Sequence, residues 1–143
     1  MLIGATGTIT GVLKTQVREV THEFRGAGQF SLIHGGARGA DEIMDAVARL
    51  YNLLSVDIYP CDPKRYEYWK RKILDDITTI HDLHLPLVRN RIIARECDRL
   101  IAMPKEMHEV LRSGTWSTVR YTRGYKKPIT IIYPDGRIER ENH

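Results

Sequence analysis

Cysteine is scarce in this chain, with two in 143 residues, Cys61 and Cys97, far apart and in no CxxC spacing. That excludes a disulfide-stapled fold and a thiolate metal centre, and leaves idle thiols of the kind a reducing compartment keeps. The histidines are scattered. His81 and His84 have helical spacing, but no third ligand accompanies them, so no metal site is expected. No run of about 18 apolar residues is present, so no transmembrane helix is expected. The opening "MLIGATGTITG" lacks the basic stretch and full apolar run of a signal peptide, and the expectation is a cytoplasmic protein. Also missing are GxxxxGK[ST] and GxGxxG, which disfavours an ATPase or a conventional dinucleotide dehydrogenase.

What is present reads as one globular domain, residues 1–143, large enough to bury about two-thirds of its unfolded surface. Hydrophobic residues make up 42% of the chain and charged ones 28%, ordinary values for a folded domain. The net charge of +4 leans towards anionic ligands without announcing a nucleic-acid binder. Basic residues cluster in "KRYEYWKRK" and "RYTRGYKK", patterns that more often mark solvated faces.

Along the chain, short apolar runs alternate with helical patterns. "MLIGA" reads as a buried strand, followed by a Gly/Thr loop from Gly4 to Gly11. A helix over about Val12 to Phe24 carries Leu13, Val17 and Val20 at helical spacing. "FSLIH" is a second strand running into the glycine loop. The next helix, "ADEIMDAVARLYNLL", places Ile43, Ala46, Val47 and Leu50 on one face. "LSVDIYP" is a third strand ended by Pro60. The region from Cys61 to Leu85 is less regular, with one helix around Lys64 to Leu74. Beyond Pro86 come a helix to about Glu96, a strand from Arg99 to Met103, and a loop leading into a helix that ends near Gly124. "PITIIYPDGRIERE" gives a last central strand, a Pro-Asp-Gly turn and a short returning strand. Nearly all-apolar strands alternating with helices predict an α/β fold: a Rossmann-like, doubly wound parallel sheet with helices on both faces and a short C-terminal β-hairpin.

In such sheets ligands bind beyond the carboxyl ends of the strands. Three segments after strands share one chemical character: "GATGT", "HGGARGAD" and "RSGTWST". Glycines admit close approach of a ligand to backbone, and helix starts offer unpaired N–H groups to anions. Thr6, Thr8, Ser113, Thr115 and Ser117 add hydroxyls. Convergence of these loops on one sheet edge predicts a phosphate or ribose site.

In order and combination, "LIHGGARGADEIMD", "YPCD", "LVRNRIIARECDRLIAMP" and "SGTWSTVRYTRGYKKPITII" resemble the SLOG superfamily. That group includes the LOG phosphoribohydrolases, DprA and the YpsA-like proteins, and the likeness runs closest to a small stand-alone YspA/YpsA-like branch over about residues 1 to 132. The resemblance implies a domain that binds a nucleotide or a nucleotide-derived, NAD-related signalling molecule, as a sensor or sequestering protein. It assigns the ligand to Gly35, Gly36, Arg38, Gly39 and Asp41, to Arg89 and Asn90, to Gly114 and Thr115 with the neighbouring Ser113, and to a more variable first loop with Thr6 and Gly7. Physically, Arg38 and Arg89 can fork onto a phosphate, Asn90 can both donate and accept, and Asp41 can accept ribose hydroxyls or cap its helix. Trp116, beside the last loop, could stack on a base or simply pack.

One departure bears on catalysis. LOG hydrolases carry paired glutamates two and three residues past the "GT" threonine, where this chain has Ser117 and Thr118. A hydroxyl cannot replace a carboxylate in glycosidic cleavage at neutral pH, so binding without LOG-type hydrolysis is expected. Hydrolysis of a nucleoside monophosphate remains the alternative, with Glu42, Glu106 or Glu109 as carboxylates to place. DprA-like binding of single strands ranks third. No cofactor is implied, and the aromatic, basic segment 64–74 is a candidate contact for a homodimer or larger assembly.

Overall fold

A computed structural model describes all residues from Met1 to His143. Seven strands form one sheet in the order β4-β3-β2-β1-β5-β6-β7. They are β1 (Leu2–Gly7), β2 (Phe30–His34), β3 (Leu53–Ile58), β4 (Thr78–Ile80), β5 (Arg99–Met103), β6 (Ile129–Ile132) and β7 (Ile138–Glu141). All pairings are parallel except β6 with β7, which closes the C-terminal hairpin. The helices are α1 (Lys14–Arg25), α2 (Ala40–Ala48), α3 (Pro63–Lys72), α4 (Pro86–Glu96) and α5 (Gly114–Gly124).

Strand alternation divides the core into two layers. Leu32, Ile101 and Ile132 face α1, α2 and α3, where Val20, Phe24, Met44 and Trp69 pack. Their neighbours Ile33, Leu100 and Ile131 face α4 and α5, against Ile93, Trp116 and Val119. The sheet is therefore doubly wound. No helix is long and apolar enough to cross a membrane.

The inward faces of the first two helices differ from the expected ones. In α1 the buried residues are Gln16, Val20 and Phe24, whereas Leu13 is exposed. Gln16 is tolerated there because its amide donates to the carbonyls of Pro104 and Ile132, at 2.9 and 3.0 Å. In α2 the buried set is Ala40, Asp41, Met44, Asp45 and Ala48, while Ala46 and Leu50 face solvent. The helix has turned its small residues to the sheet for close approach and its two aspartates to partners on β2 and the glycine loop. β4 was not expected at all. Its three residues sit at the edge and are held as a strand by β3. β1 also runs further than expected, so Gly4 and Gly7 are strand residues rather than loop.

The chain builds outward from β1 through β2 and β3 to β4, then returns to place β5 on the other side of β1. The winding reverses at the β1–β5 junction, and the carboxyl ends of these strands diverge into loops there.

Candidate functional site

A cavity of about 440 Å³ opens at that junction. Its floor is the end of β1, residues Ala5 to Thr8, and its walls come from the Gly35–Ala37 turn, α4 and the segment from Lys105 to Thr115. The three sequence-predicted loops do converge here. Gly7 makes the floor tight: a Cβ on it would lie 2.3 Å from the Ala40 Cβ and 2.8 Å from the Met103 carbonyl oxygen. The start of α2 is thereby seated directly on β1, where the Ala40 amide also donates to the Thr8 carbonyl at 2.9 Å.

Of the predicted residues, Thr6, Gly7, Gly35, Asp41, Arg89, Asn90, Ser113, Gly114 and Thr115 line the cavity. Gly36, Arg38, Gly39 and Trp116 do not. Gly36 has φ +66° and packs under Ile58 and Trp69. Gly39 is the N-cap of α2. Arg38 is exposed and turns to the other side of the loop, into a separate groove with α3. Ala37 lines the cavity, whereas the next residue, Arg38, does not. Trp116 is buried in the α5 core layer, and its indole N–H donates to Glu106 at 3.1 Å. Packing is its role, not stacking on a ligand. The cations Lys105 and Arg112 and the carboxylate Glu106 also line the cavity. They sit between Pro104 and the "GT" helix start, and two basic residues bracketing a strand-to-helix loop was the signal available in the sequence.

The glycine loop is organised from within. The Gly36 amide donates to His34 Nδ1 at 3.0 Å, which places the ring proton on Nε2, facing Asp45 at 2.8 Å. The Gly36 carbonyl accepts from Trp69 Nε1 and Arg65 Nε, both at 2.8 Å. Arg89 binds the Gly35 carbonyl at 2.8 Å and the Tyr59 carbonyl at 3.2 Å, and its Nε donates to Asn90 Oδ1 at 2.9 Å. The Ala37 amide donates to Asp41 at 3.1 Å. Two of the loop amides are thus already satisfied by protein groups, so this loop is not an open nest for phosphate.

The free donors lie at the other wall. α5 starts at Gly114 and Thr115, capped by Ser113, which accepts the Trp116 amide at 3.3 Å. The Gly114 and Thr115 amides belong to the first turn, where no intrahelical acceptor exists, and they carry the positive end of the helix dipole. Lys105 and Arg112 stand beside them. Thr6 and Thr115 are buried to 9% and 7% exposure, and their hydroxyls engage no protein partner. The wall formed by α5 suits an anion. The wall formed by Asp41, Arg89 and Asn90 suits a neutral, hydroxyl-bearing group.

Asp41 is the buried carboxylate of the site. Burial pushes its carboxyl above the ordinary range, against the pull of Arg89 and the loop amides. A carboxyl whose pKa rises on folding contributes stability below the usual carboxylate range and loses it as pH rises through the raised value. The unliganded protein therefore carries this cost at neutral pH. Asp41→Asn keeps an acceptor for the Ala37 amide and removes the charge. It is expected to raise Tm by about 2–4 °C, roughly 1 kcal/mol, at pH 7 and to flatten the pH dependence of Tm. A lowered Tm in thermal scans from pH 4 to 8 would contradict this assignment.

At the positions of the LOG glutamates, Thr118 is buried and donates to the Gly114 carbonyl at 2.9 Å, and Ser117 continues α5. Glu42 is paired with Arg65, and Glu109 with Arg120 and Arg123, outside the cavity. No group of three or more His, Cys, Asp or Glu residues is arranged to hold a metal ion. Comparison with protein-family models, with characterised proteins and with solved structures finds no match to this chain.

Proposed function

We propose that this chain binds a phosphorylated nucleoside or a nucleotide-derived signalling molecule in the β1–β5 cavity, as a sensor or sequestering protein. The observation that carries the reading is the division of the cavity. An α5 start flanked by Lys105 and Arg112 and by unpartnered threonine hydroxyls faces a polar wall of Asp41 and Asn90. The phosphate lies on the first and the sugar hydroxyls on the second. The likeness of the strand-end motifs to SLOG proteins supports the same class of ligand. Its size also fits, since small-ligand pockets run to about 300–1,000 Å³.

Thermal-shift titration with nucleoside monophosphates, dinucleotides and cyclic ADP-ribose isomers tests this. A true ligand at a hundred times its Kd adds about 2.7 kcal/mol to stability and raises Tm by several degrees. A panel in which no member moves Tm overturns the proposal.

One observation favours a second reading, hydrolysis of the N-glycosidic bond of a nucleoside monophosphate: Asp41 and Glu106 both line the cavity. Two carboxyls can serve as acid and as stabiliser of an oxocarbenium-like centre. Chromatography of incubated monophosphates decides between the two. Free base released by the native chain and lost in Glu106→Gln supports hydrolysis, and intact ligand leaves binding alone.

A further inference from the structure

We infer that Arg38 and α3 form a second anion subsite, separated from the main cavity only by the glycine loop, and that it takes a second phosphate of the same ligand, on the far side of the sugar from the first. The inference rests on the nucleotide-binding reading and deepens it.

A groove of about 430 Å³ runs between Arg38 and α3 from Pro63 to Arg71. Four of its lining residues are cations, Arg38, Lys64, Arg65 and Arg71, against one carboxylate, Glu67. Arg38, Lys64 and Arg71 are exposed, and none of them has an acidic partner. Elsewhere the chain pairs its clustered arginines: Arg99 and Arg140 share Glu23, and Arg120 and Arg123 share Glu109. Like charges gathered without counter-charge repel one another, and an anion seated among them removes that cost. Arginine forks suit phosphate in particular.

The groove is rigid where it meets the loop. Arg65 is fixed by the Gly36 carbonyl and by Glu42, and it lies 4.3 Å from the centre of the Tyr68 ring. Lys72 stands 5.2 Å from the same ring. Tyr68 therefore serves as a support for cations, and the groove reads a phosphate in preference to a stacked base. Ala37 lines the cavity and Arg38 the groove, although their Cα atoms are about 3.8 Å apart. A sugar held at Asp41 lies on one side of this single residue of backbone, so a phosphate on its outward hydroxyl reaches across to Arg38.

The test is isothermal titration of the full chain, in magnesium-free buffer, with nucleoside 5′-monophosphates and the matching 3′,5′-bisphosphates. Arg38→Ala/Arg71→Ala serves as the variant. Both side chains are exposed and unpaired, so its Tm should equal that of the native chain. The bisphosphate is expected to bind about tenfold tighter than the monophosphate, the worth of one charged hydrogen-bond set. The variant should bring it back to the monophosphate value and leave monophosphate binding unchanged. Monophosphate binding with no gain from the second phosphate, or a variant that weakens both ligands alike, overturns the subsite alone. Failure of every nucleotide to bind overturns the cavity reading and the subsite with it. Retardation of a single-stranded oligonucleotide that the variant abolishes, without the bisphosphate gain, assigns the groove to nucleic acid and also overturns the inference.

Discussion

Asp45→Leu is expected to lower stability by about 3 kcal/mol, roughly 10 °C in Tm, and to loosen the glycine loop. Asp45 is 2% exposed and accepts from His34 Nε2 at 2.8 Å and from Arg49 Nε at 2.7 Å. Leucine leaves a buried ring N–H with no acceptor and takes one carboxylate from Arg49, which keeps Asp75. The cost sits at the lower end for a broken buried pair because Arg49 is partly exposed. Burial alone would push the Asp45 carboxyl upward, but the hydrogen bond from His34 and the hydrogen bonds and charge of Arg49 outweigh it and hold the group below the ordinary range. The stabilisation is present at neutral pH, above the unfolded carboxyl's pKa, and is lost as pH falls through the depressed folded value. Urea midpoints of native and variant chains should thus differ most near pH 7 and converge below about pH 4. A gap that stays constant down to pH 3 would show that the pair is not what the substitution removed.

Trp69→Ala is the second large effect, about 3–5 kcal/mol for truncating a fully buried indole. The loss is structural and local at once. Trp69 packs in the core layer beneath α1, α2 and α3, and its N–H is one of two donors on the Gly36 carbonyl. Trp69→Phe separates the roles. It keeps most of the volume and deletes the hydrogen bond, for about 1 kcal/mol. If the Gly36 clamp positions the loop for ligand, the phenylalanine variant should lose severalfold in affinity for any nucleotide that shifts Tm. Denaturation and titration on the same samples measure both. Unchanged affinity would reduce Trp69 to a packing residue.

These residues mark the limit of what local periodicity encodes. The strands "FSLIH" and "RLIAM" and the helix ending at Gly124 were legible because each is an apolar or periodic run bounded by glycine or proline. The inward face of α2 was not. Hydrophobic spacing selects Ile43, Ala46, Val47 and Leu50, yet burial of Asp41 and Asp45 depends on His34 and the Ala37 amide, partners that spacing within one helix cannot reveal. The candidate site divides the same way. Convergence of the three loops follows from parallel strands feeding helices. Which side of the glycine turn Arg38 faces, and that Trp116 points inward, depends on backbone torsions and on the room left by α3 and α5.

By itself, the sequence determined the alternation of strands and helices, and with it the edge of the sheet where loops rich in glycine and threonine gather, because periodicity and chain breakers act over a few residues. The packing of the layers added what local pattern does not encode: burial turns His34 and Asp41 onto the amides of the adjacent glycine loop, the open donors stand at the start of α5, and Lys105 and Arg112 join them. Those outcomes depend on which polar groups find partners once the layers close, and the residues that meet at the cavity run from Ala5 to Thr115.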